Sequence, residues 1–170
     1  MISESGDDFL KWFSQYLVMK RITMENNFHT LYNSLLVELK NPTLDAYVKK
    51  ETFRNIKILL RGDKRQAASN FGDRQILKNL GQWLGLITIG HDKQIISKEL
   101  NLKRLLLDSF YRGQDELQYI VPFAARCLSA ASKSMVFKVL KHFILALIVL
   151  FKFYLWSSIL DFWSSIGVDL

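Results

Sequence analysis

The sequence predicts an all-α protein whose helices follow one another along the chain. Apolar residues recur every three or four positions in successive segments, which is typical of helices with one buried face. Strand signals are weak, because no segment alternates cleanly between apolar and polar residues and no Asn-Gly or Asp-Gly pair marks a hairpin. Capping residues, a proline and glycines separate the helical segments.

The first two helices are predicted from apolar stripes alone. The first begins near Phe9, after a polar segment, residues 1–8, that we expect to be flexible. Its expected buried stripe is Phe9, Trp12, Phe13, Tyr16 and Leu17, extending to Lys20. The second helix runs from about Phe28 to Leu39, and its expected inward residues are Phe28, Leu31, Tyr32, Leu35, Leu36 and Leu39.

The next two helices have predicted caps as well as stripes. Asn41 caps the third helix, because a proline follows it at the first helical position. This helix ends near Leu60, with Gly62 as its stop, and its expected buried residues are Leu44, Tyr47, Val48, Phe53, Ile56 and Leu59 or Leu60. After a polar loop, Asp73 is the expected cap of a fourth helix that ends at Gly90.

Two further helices complete the regular part of the chain. Asn101 caps a fifth helix that runs through Tyr111 and stops at Gly113, and the sixth spans about Asp115 to Ala131 with Pro122 inside it. Short links imply antiparallel neighbours. Two helices with their links take roughly 35 to 45 residues, the spacing of HEAT-type repeats. The predicted fold is therefore a partial α-solenoid of HEAT-like antiparallel helical repeats, followed by a hydrophobic C-terminal helix.

Gly81 and Gly85 lie one turn apart inside the fourth helix. Glycine in a helix interior costs about 1 kcal/mol relative to alanine, so the pair needs a structural reason. Both fall on one face, where the missing side chains let another helix approach closely. Lys78, Asn79 and Gln82 interrupt the apolar run, which favours a tight crossing inside a helical array over a membrane dimerisation face.

The composition is that of one folded domain with a basic surface. The chain has 170 residues and a net charge of +7, which suits an acidic partner. The single Cys127 excludes an internal disulfide and fits a reducing compartment. The amino end is acidic and polar, unlike a secretory signal. We therefore expect an intracellular protein.

Residues 139–170 differ sharply from the rest, because their only charged residues are Lys141, Lys152, Asp161 and Asp169. The stretch 142–160 has about the length that a bilayer requires, and its apolar residues could offset the insertion cost of Lys152. Alternatively, this tail forms a helix that caps the end of the array, or it has no stable place and aggregates.

Residues 9–138 resemble a known family along about three quarters of the chain. The matching stretches, in collinear order, are SQYLVMKR, NFHTLY, ETFRNIKILL, ILKNLGQWLGLITIG and LLLDSFYRGQDELQYIVPF. They resemble the middle domain of the Not one scaffold family of the CCR–NOT (carbon catabolite repression–Not) deadenylase complex. More loosely, ENNFHTLY is similar to a signature of the middle domain of translation initiation factor four-G, which shares the HEAT-type architecture.

The resemblance implies a scaffold without chemistry or cofactor of its own. Such a domain docks the nuclease subunit that shortens poly(A) tails and a DEAD-box RNA helicase, in messenger RNA decay and translational repression. It implies a cytoplasmic location, including P-bodies, and the nucleus. The family's helix before Phe9 and its Pro-Pro-Asn-Pro-Trp turn after Phe137 are absent. The alternative hypothesis is therefore that the chain is a truncated or mis-spliced product, or a gene-model artefact, and that its apolar tail anchors it to a membrane.

No catalytic or metal-ligating constellation stands out. His29, His91 and His142 lack ligand spacing with Cys127, so we expect His29 to have a packing or surface role and Cys127 to be a buried, inert thiol. No glycine-rich phosphate loop precedes a helix. The sequence thus predicts a protein that is not an enzyme.

The basic stretch 49–65 leaves three interpretations open. Arg54, Lys57 and Arg61 line one helix face, opposite Phe53, Ile56 and Leu60. This face is a solvated helix surface, a docking surface for an acidic patch of another protein, or a surface that contacts RNA. The RNA interpretation lacks the exposed aromatic residues on which unpaired bases stack. We expect no sequence-specific nucleic-acid binding. The candidate partner-binding residues are Tyr16, Met19, Lys20 and Arg21 at the end of the first helix, and Arg54, Lys57, Arg74, Lys78 and Gln82 on an exposed face of the array.

Overall fold

The computed structural model of the chain describes residues 2–61, 71–95 and 98–136. Within these ranges the protein has six α-helices and no strand. They are α1 (Ile2–Tyr16), α2 (His29–Leu39), α3 (Pro42–Leu59), α4 (Phe71–Ile87), α5 (Leu102–Arg112) and α6 (Gln114–Ser129). A π-helical segment, Leu17–Ile22, continues α1, and short 3₁₀ turns lie at Asn26–Phe28, Ile89–His91 and Ala130–Lys133. The predicted all-α helical-repeat class is confirmed.

The predicted caps of α3 and α5 are confirmed. Asn41 Oδ1 accepts hydrogen bonds from the backbone N–H groups of Thr43 and Leu44, at 3.0 and 3.1 Å. Asn101 Oδ1 accepts from the backbone N–H of Arg104 at 2.9 Å. Gly113, with a φ of +110°, ends α5 as predicted, in a backbone conformation that other residues rarely adopt.

Three predicted helix boundaries are wrong. The first helix begins at Ile2 instead of near Phe9, so residues 2–8, expected to be flexible, are helical. In this segment Asp7 Oδ1 accepts a hydrogen bond from the Tyr47 hydroxyl of α3 at 2.6 Å, which joins the two helices. Asp73 lies in the first turn of α4 rather than at its cap, and α4 ends at Ile87, before Gly90. Gly62, the expected stop of α3, lies outside the described residues.

Helix α4 lies at the centre of the core. Trp83, Leu80 and Leu84 on this helix are fully buried, and they pack with Ile120 and Phe123 of α6 in one apolar cluster. The same cluster includes buried residues of the other elements: Leu17, Val18, Ile22, Leu36, Leu44, Val48 and Ile56. This main cluster connects α2, α3, α4, α6 and the π-helical segment, half-buried residues of α1 and α5 pack against it, and a small second cluster contains Ile89, Ala130 and Ala131.

The two glycines of α4 face α6 directly. A Cβ placed on Gly81 would lie 2.8 Å from the carbonyl oxygen of Phe123, and one placed on Gly85 would lie 2.1 Å from that of Cys127. Real Cβ atoms do not approach backbone so closely, so only glycine allows this helix crossing. The predicted tight crossing inside a helical array is confirmed.

The buried faces predicted for α1 and α2 are largely wrong. On α1 the side chains of Phe9, Trp12 and Tyr16 are exposed and Phe13 is half-buried, and among the side chains described there only Ser14 is buried; Leu17, in the π-helical segment, is buried as expected. On α2 the only buried residues are His29 and Leu36, whereas the other large apolar residues of its expected inward face, apart from the half-buried Tyr32, are exposed: Phe28, Leu31, Leu35 and Leu39. Helical spacing identifies residues that share a face, but it does not say whether another helix covers that face.

His29 packs in the core, as predicted. Its Nε2–H donates to the backbone carbonyl of Ile22 at 2.8 Å, and its ring lies edge-on to Trp83, with centroids 5.6 Å apart. Within the described residues, His29 Nδ1 and Trp83 Nε1 have no hydrogen-bond partner. Burial lowers the pKa of the His29 ring, because the charged form would lose its hydration.

Cys127 is a buried free thiol on α6, as predicted. Burial raises the pKa of the Cys127 thiol far above its usual range, so the reactive thiolate does not form at neutral pH.

The apolar tail, residues 139–170, lies outside the described residues, and its predicted helix and membrane contact stay predictions. Among the residues that are described, no helix combines the length and the hydrophobicity needed to cross a bilayer.

Gly85→Ala should destabilise the protein by about 1 to 3 kcal/mol or prevent folding, because its methyl group would collide with the Cys127 carbonyl. Gly6→Ala is the matched control, since its added Cβ has no neighbour within 4 Å and alanine is the better helix former. Urea denaturation followed by circular dichroism measures both. Equal stability of the two variants would contradict the tight crossing.

Protonation of His29 should make stability pH-dependent. The unfolded ring takes up a proton below about pH 6.5, whereas the buried ring, with its lowered pKa, does not. The free energy of unfolding should therefore fall as the pH drops from about 6.5 towards 5. His29→Gln should remove this slope even if its overall stability is lower. An unchanged slope in that variant would assign the pH dependence to other groups.

Candidate partner-binding surface

Three exposed aromatic side chains follow one another along α1. Phe9, Trp12 and Tyr16 have 57%, 57% and 37% of their surfaces exposed. The ring centroids of Phe9 and Trp12 are 5.8 Å apart, and those of Trp12 and Tyr16 are 5.7 Å apart in a stacked arrangement. Their mutual contacts fix the rings in a row before any partner binds, which lowers the entropy that binding would cost.

The π-helical segment Leu17–Ile22 follows this row. Its wider winding is closed by a hydrogen bond from the Thr23 N–H to the Val18 carbonyl at 3.2 Å. Leu17, Val18 and Ile22 face the core, so the intervening residues Met19, Lys20 and Arg21 are exposed. The structure therefore places four predicted candidates, Tyr16, Met19, Lys20 and Arg21, together on the surface.

A chain of polar contacts continues from Tyr16 to α2. The Arg21 guanidinium lies 5.6 Å from the centre of the Tyr16 ring, and its Nε donates to the Tyr16 hydroxyl oxygen at 3.1 Å. Arg21 Nη1 pairs with Glu25 Oε1 at 2.8 Å. The hydroxyl of Tyr32 donates to the other carboxylate oxygen of Glu25. The last ring contact joins Tyr32 to Phe28, with centroids 6.5 Å apart.

These contacts keep Glu25 charged. The Tyr32 hydroxyl, and after it the Arg21 guanidinium, lowers the pKa of the Glu25 carboxyl group. In return the carboxylate raises the pKa values of Tyr32 and Arg21, so that the phenol stays protonated and the guanidinium stays charged. At neutral pH this cluster is therefore one fixed ion pair between two aromatic groups.

We call this continuous surface the aromatic strip, and its residues are Phe9, Trp12, Tyr16, Arg21, Glu25, Phe28 and Tyr32. Residues Met19 and Lys20 lie on the segment between its two halves. Trp, Tyr and Arg are the residue types that dominate binding energy at protein interfaces. The strip has the composition of a protein-docking surface, with an apolar row at one end and a fixed ion pair at its centre.

The remaining predicted candidates lie in two other places. Arg54 and Lys57 are exposed on α3, where Arg54 pairs with Glu51 at 2.9 Å and Lys57 with Glu99 at 3.0 Å. They line one open groove together with Arg61, as predicted, but Phe53, which was expected on the opposite face, lines the same groove.

The sequence predicts an exposed face for Arg74, Lys78 and Gln82, but in the structure they do not lie on a fully exposed face. They are half-buried along one side of α4, because this helix is the centre of the array. Gln82 Oε1 accepts a hydrogen bond from Arg126 of α6 at 3.3 Å. Their involvement in partner binding stays a prediction.

The strip includes five residues that the candidate set omitted: Phe9, Trp12, Glu25, Phe28 and Tyr32. Sequence reasoning assigned Phe9, Trp12, Phe28 and Tyr32 to the core because they are large and helically spaced. One signal in the sequence was that the first helix has more aromatic residues than the buried face of a short amphipathic helix can accommodate, which indicates that some of them are exposed. In the described ranges no group of three or more His, Cys, Asp or Glu side chains is arranged to hold a metal ion.

Comparison with known proteins gives a family match over most of the chain. The model described as the CCR4-NOT transcription complex subunit 1 CAF1-binding domain matches residues 3–158. The match continues past residue 138, where the sequence predicts a non-family tail, and that domain division stays a prediction.

Relatives from a nematode and two yeasts agree with this match. The chain is 55% identical over 138 residues to the CCR4-NOT transcription complex subunit let-711 of Caenorhabditis elegans, covering 81% of this chain and 5% of that protein. It is 34% identical over 131 residues to the general negative regulator of transcription subunit 1 of Saccharomyces cerevisiae, and 35% identical over 130 residues to that of Schizosaccharomyces pombe. These matches cover 77% and 76% of the chain and 6% of each yeast protein. The chain spans only about a twentieth of the length of these relatives.

If the aromatic strip serves binding rather than folding, Trp12→Ala should change the free energy of unfolding by less than about 1 kcal/mol, because the ring is largely exposed. The matched variant Trp83→Ala should lose about 3 to 5 kcal/mol, because it empties the core. Chemical denaturation compares the two. Similar losses would show that the strip holds the fold together.

Proposed function

Because the chain belongs to the CAF1-binding domain family of CCR4-NOT transcription complex subunit 1, we propose that it is a scaffold module that docks the CAF1 deadenylase subunit through the aromatic strip. The observation that supports this most directly is the unbroken contact chain from Phe9 to Phe28, in which the rings of Phe9, Trp12, Tyr16 and Phe28 are exposed in the part of the chain that the structure describes. The module itself contributes no chemistry. It holds a nuclease next to other subunits acting on messenger RNA.

The strip suits a stable protein partner for physical reasons. A contiguous exposed patch of large apolar side chains, unlike a single exposed side chain, marks an interaction site, and the rings of the strip are in contact with one another. Trp12 and Tyr16 offer flat surfaces at low entropic cost, and the Arg21–Glu25 pair can orient a partner by charge. Met19 between them can adapt to the partner's shape.

Docking of a DEAD-box RNA helicase is a second proposal, which rests on the resemblance of the family stretches. We assign it no contact residues, because Arg54, Lys57, Arg74, Lys78 and Gln82 are predicted partner-binding candidates without a named partner. With both partners the module would act in deadenylation, messenger RNA decay and translational repression. The proposed location is the cytoplasm, including P-bodies, and the nucleus.

Trp12→Ala and Arg21→Glu should each weaken binding of purified CAF1 by at least about tenfold, because each alters the centre of the docking surface. Binding is measured by isothermal titration calorimetry with the full chain. Arg21→Glu reverses the charge beside Glu25, so its circular dichroism melt is compared first to establish that it folds.

Tyr111→Ala is the matched control. Tyr111 is an aromatic residue on α5 with 82% of its surface exposed, and it is not in the contact chain of the strip. Its loss should leave CAF1 affinity unchanged. Equal weakening by Tyr111→Ala and Trp12→Ala, or full binding by folded Trp12→Ala protein, would refute the assignment of CAF1 to the strip.

A further inference from the structure

An open groove runs along α3, on a surface that the aromatic strip does not include. Ala46, Phe53 and Ile58 form its apolar part. Its basic and acidic lining residues are Lys49, Lys50, Arg54, Lys57, Arg61 and Glu99. From residue 46 to residue 61 a helix rises about 22 Å, so the groove is long enough for about six or seven residues of extended peptide.

The charge of this groove is unbalanced. Five basic side chains line it against one acidic side chain, Glu99. Lys57 is paired with Glu99 at 3.0 Å, and Arg54 with Glu51 at 2.9 Å. The ion pairs of the described residues include none for Lys49, Lys50 or Arg61. The groove therefore attracts an anionic ligand over its whole length.

The lining favours a peptide over a nucleic acid. Unpaired bases are held by stacking on exposed aromatic faces, but Phe53 is half-buried against the core. An apolar strip flanked by cations instead matches an acidic segment with one or two apolar side chains.

We propose that this groove binds a short acidic peptide segment of a partner protein, with one apolar side chain over Ala46, a second over Ile58 about 18 Å further along α3, and carboxylates on Lys50 and Arg61. Without a ligand, the Glu99 carboxylate is paired with the ammonium group of Lys57. The incoming carboxylate competes with Glu99 for Lys57, so Glu99 lowers the affinity of the groove for acidic segments by a small factor. This site is independent of CAF1 docking on the aromatic strip.

The probe is a fluorescein-labelled peptide of about ten residues, all aspartate or glutamate except for a leucine and a phenylalanine about five positions apart, titrated with the full chain in fluorescence anisotropy. Lys50→Glu should weaken binding at least about tenfold, and Glu99→Gln should strengthen it about threefold or more, because Lys57 becomes available. Lys103→Glu, the same charge reversal at an exposed position on α5, should have an effect of less than about twofold. All variants are first compared by thermal melting.

Several results would overturn the proposal. Absence of binding at protein concentrations near 1 mM would do so, as would equal weakening by Lys50→Glu and Lys103→Glu, which would indicate non-specific attraction. Unchanged affinity of Glu99→Gln would refute the role of Glu99. A labelled ten-nucleotide oligouridine that binds more tightly than the peptide, and loses binding in Lys50→Glu, would make the groove an RNA site instead.

Discussion

The rest of the structure depends on the contact between α4 and α6. At Gly81 and Gly85 the α4 backbone comes so close to the Phe123 and Cys127 carbonyls that no side chain fits between them. This contact places α6 on one side of α4 and leaves its remaining sides for Trp83, Leu80 and Leu84 to fill the core. The glycines lower helix propensity, but the packing they allow more than offsets that cost.

Features that depend on local chemistry could be predicted from the sequence. The caps at Asn41 and Asn101 depend only on residues within three positions along the chain. The paired glycines predict the close approach of a second helix, whichever helix that is. The basic face of α3 was predicted for the same reason, because helical spacing alone aligns Arg54, Lys57 and Arg61.

The aromatic strip could not be predicted in this way. Whether Phe9 and Trp12 are buried depends on which helices lie against α1, and that is decided by residues far away in sequence. Helix α1 packs on α3 through Asp7 and Tyr47, and this contact covers a different side of α1 from its aromatic row. Similarly, the link from Arg21 through Glu25 to Tyr32 requires a turn between two helices whose geometry no spacing rule describes.

The aromatic strip and the groove differ in the interactions that they offer to a partner, although neighbouring helices carry them. In the proposed complexes the aromatic strip would bind by desolvation of large rings, which gives slow dissociation, whereas the groove would bind by excess positive charge, which mainly accelerates encounter. The pair of α1 and α3 presents both. A partner with two separate segments could therefore occupy both surfaces of one module, and its overall affinity would exceed that of either segment alone.

The π-helical segment makes the effect of a deletion depend on where it falls. Its six residues, Leu17–Ile22, connect the aromatic row of α1 to the ion pair before α2. A π-helical turn is wider than an α-helical turn, so five residues wound as α-helix cover nearly the same angle as these six. Loss of one residue within the segment would therefore leave Phe9 and Trp12 close to the line of Arg21 and Glu25. Loss of one residue between Trp12 and Tyr16, inside α1, would instead turn Phe9 and Trp12 by about 100° away from that line, even though every side chain of the strip is still present.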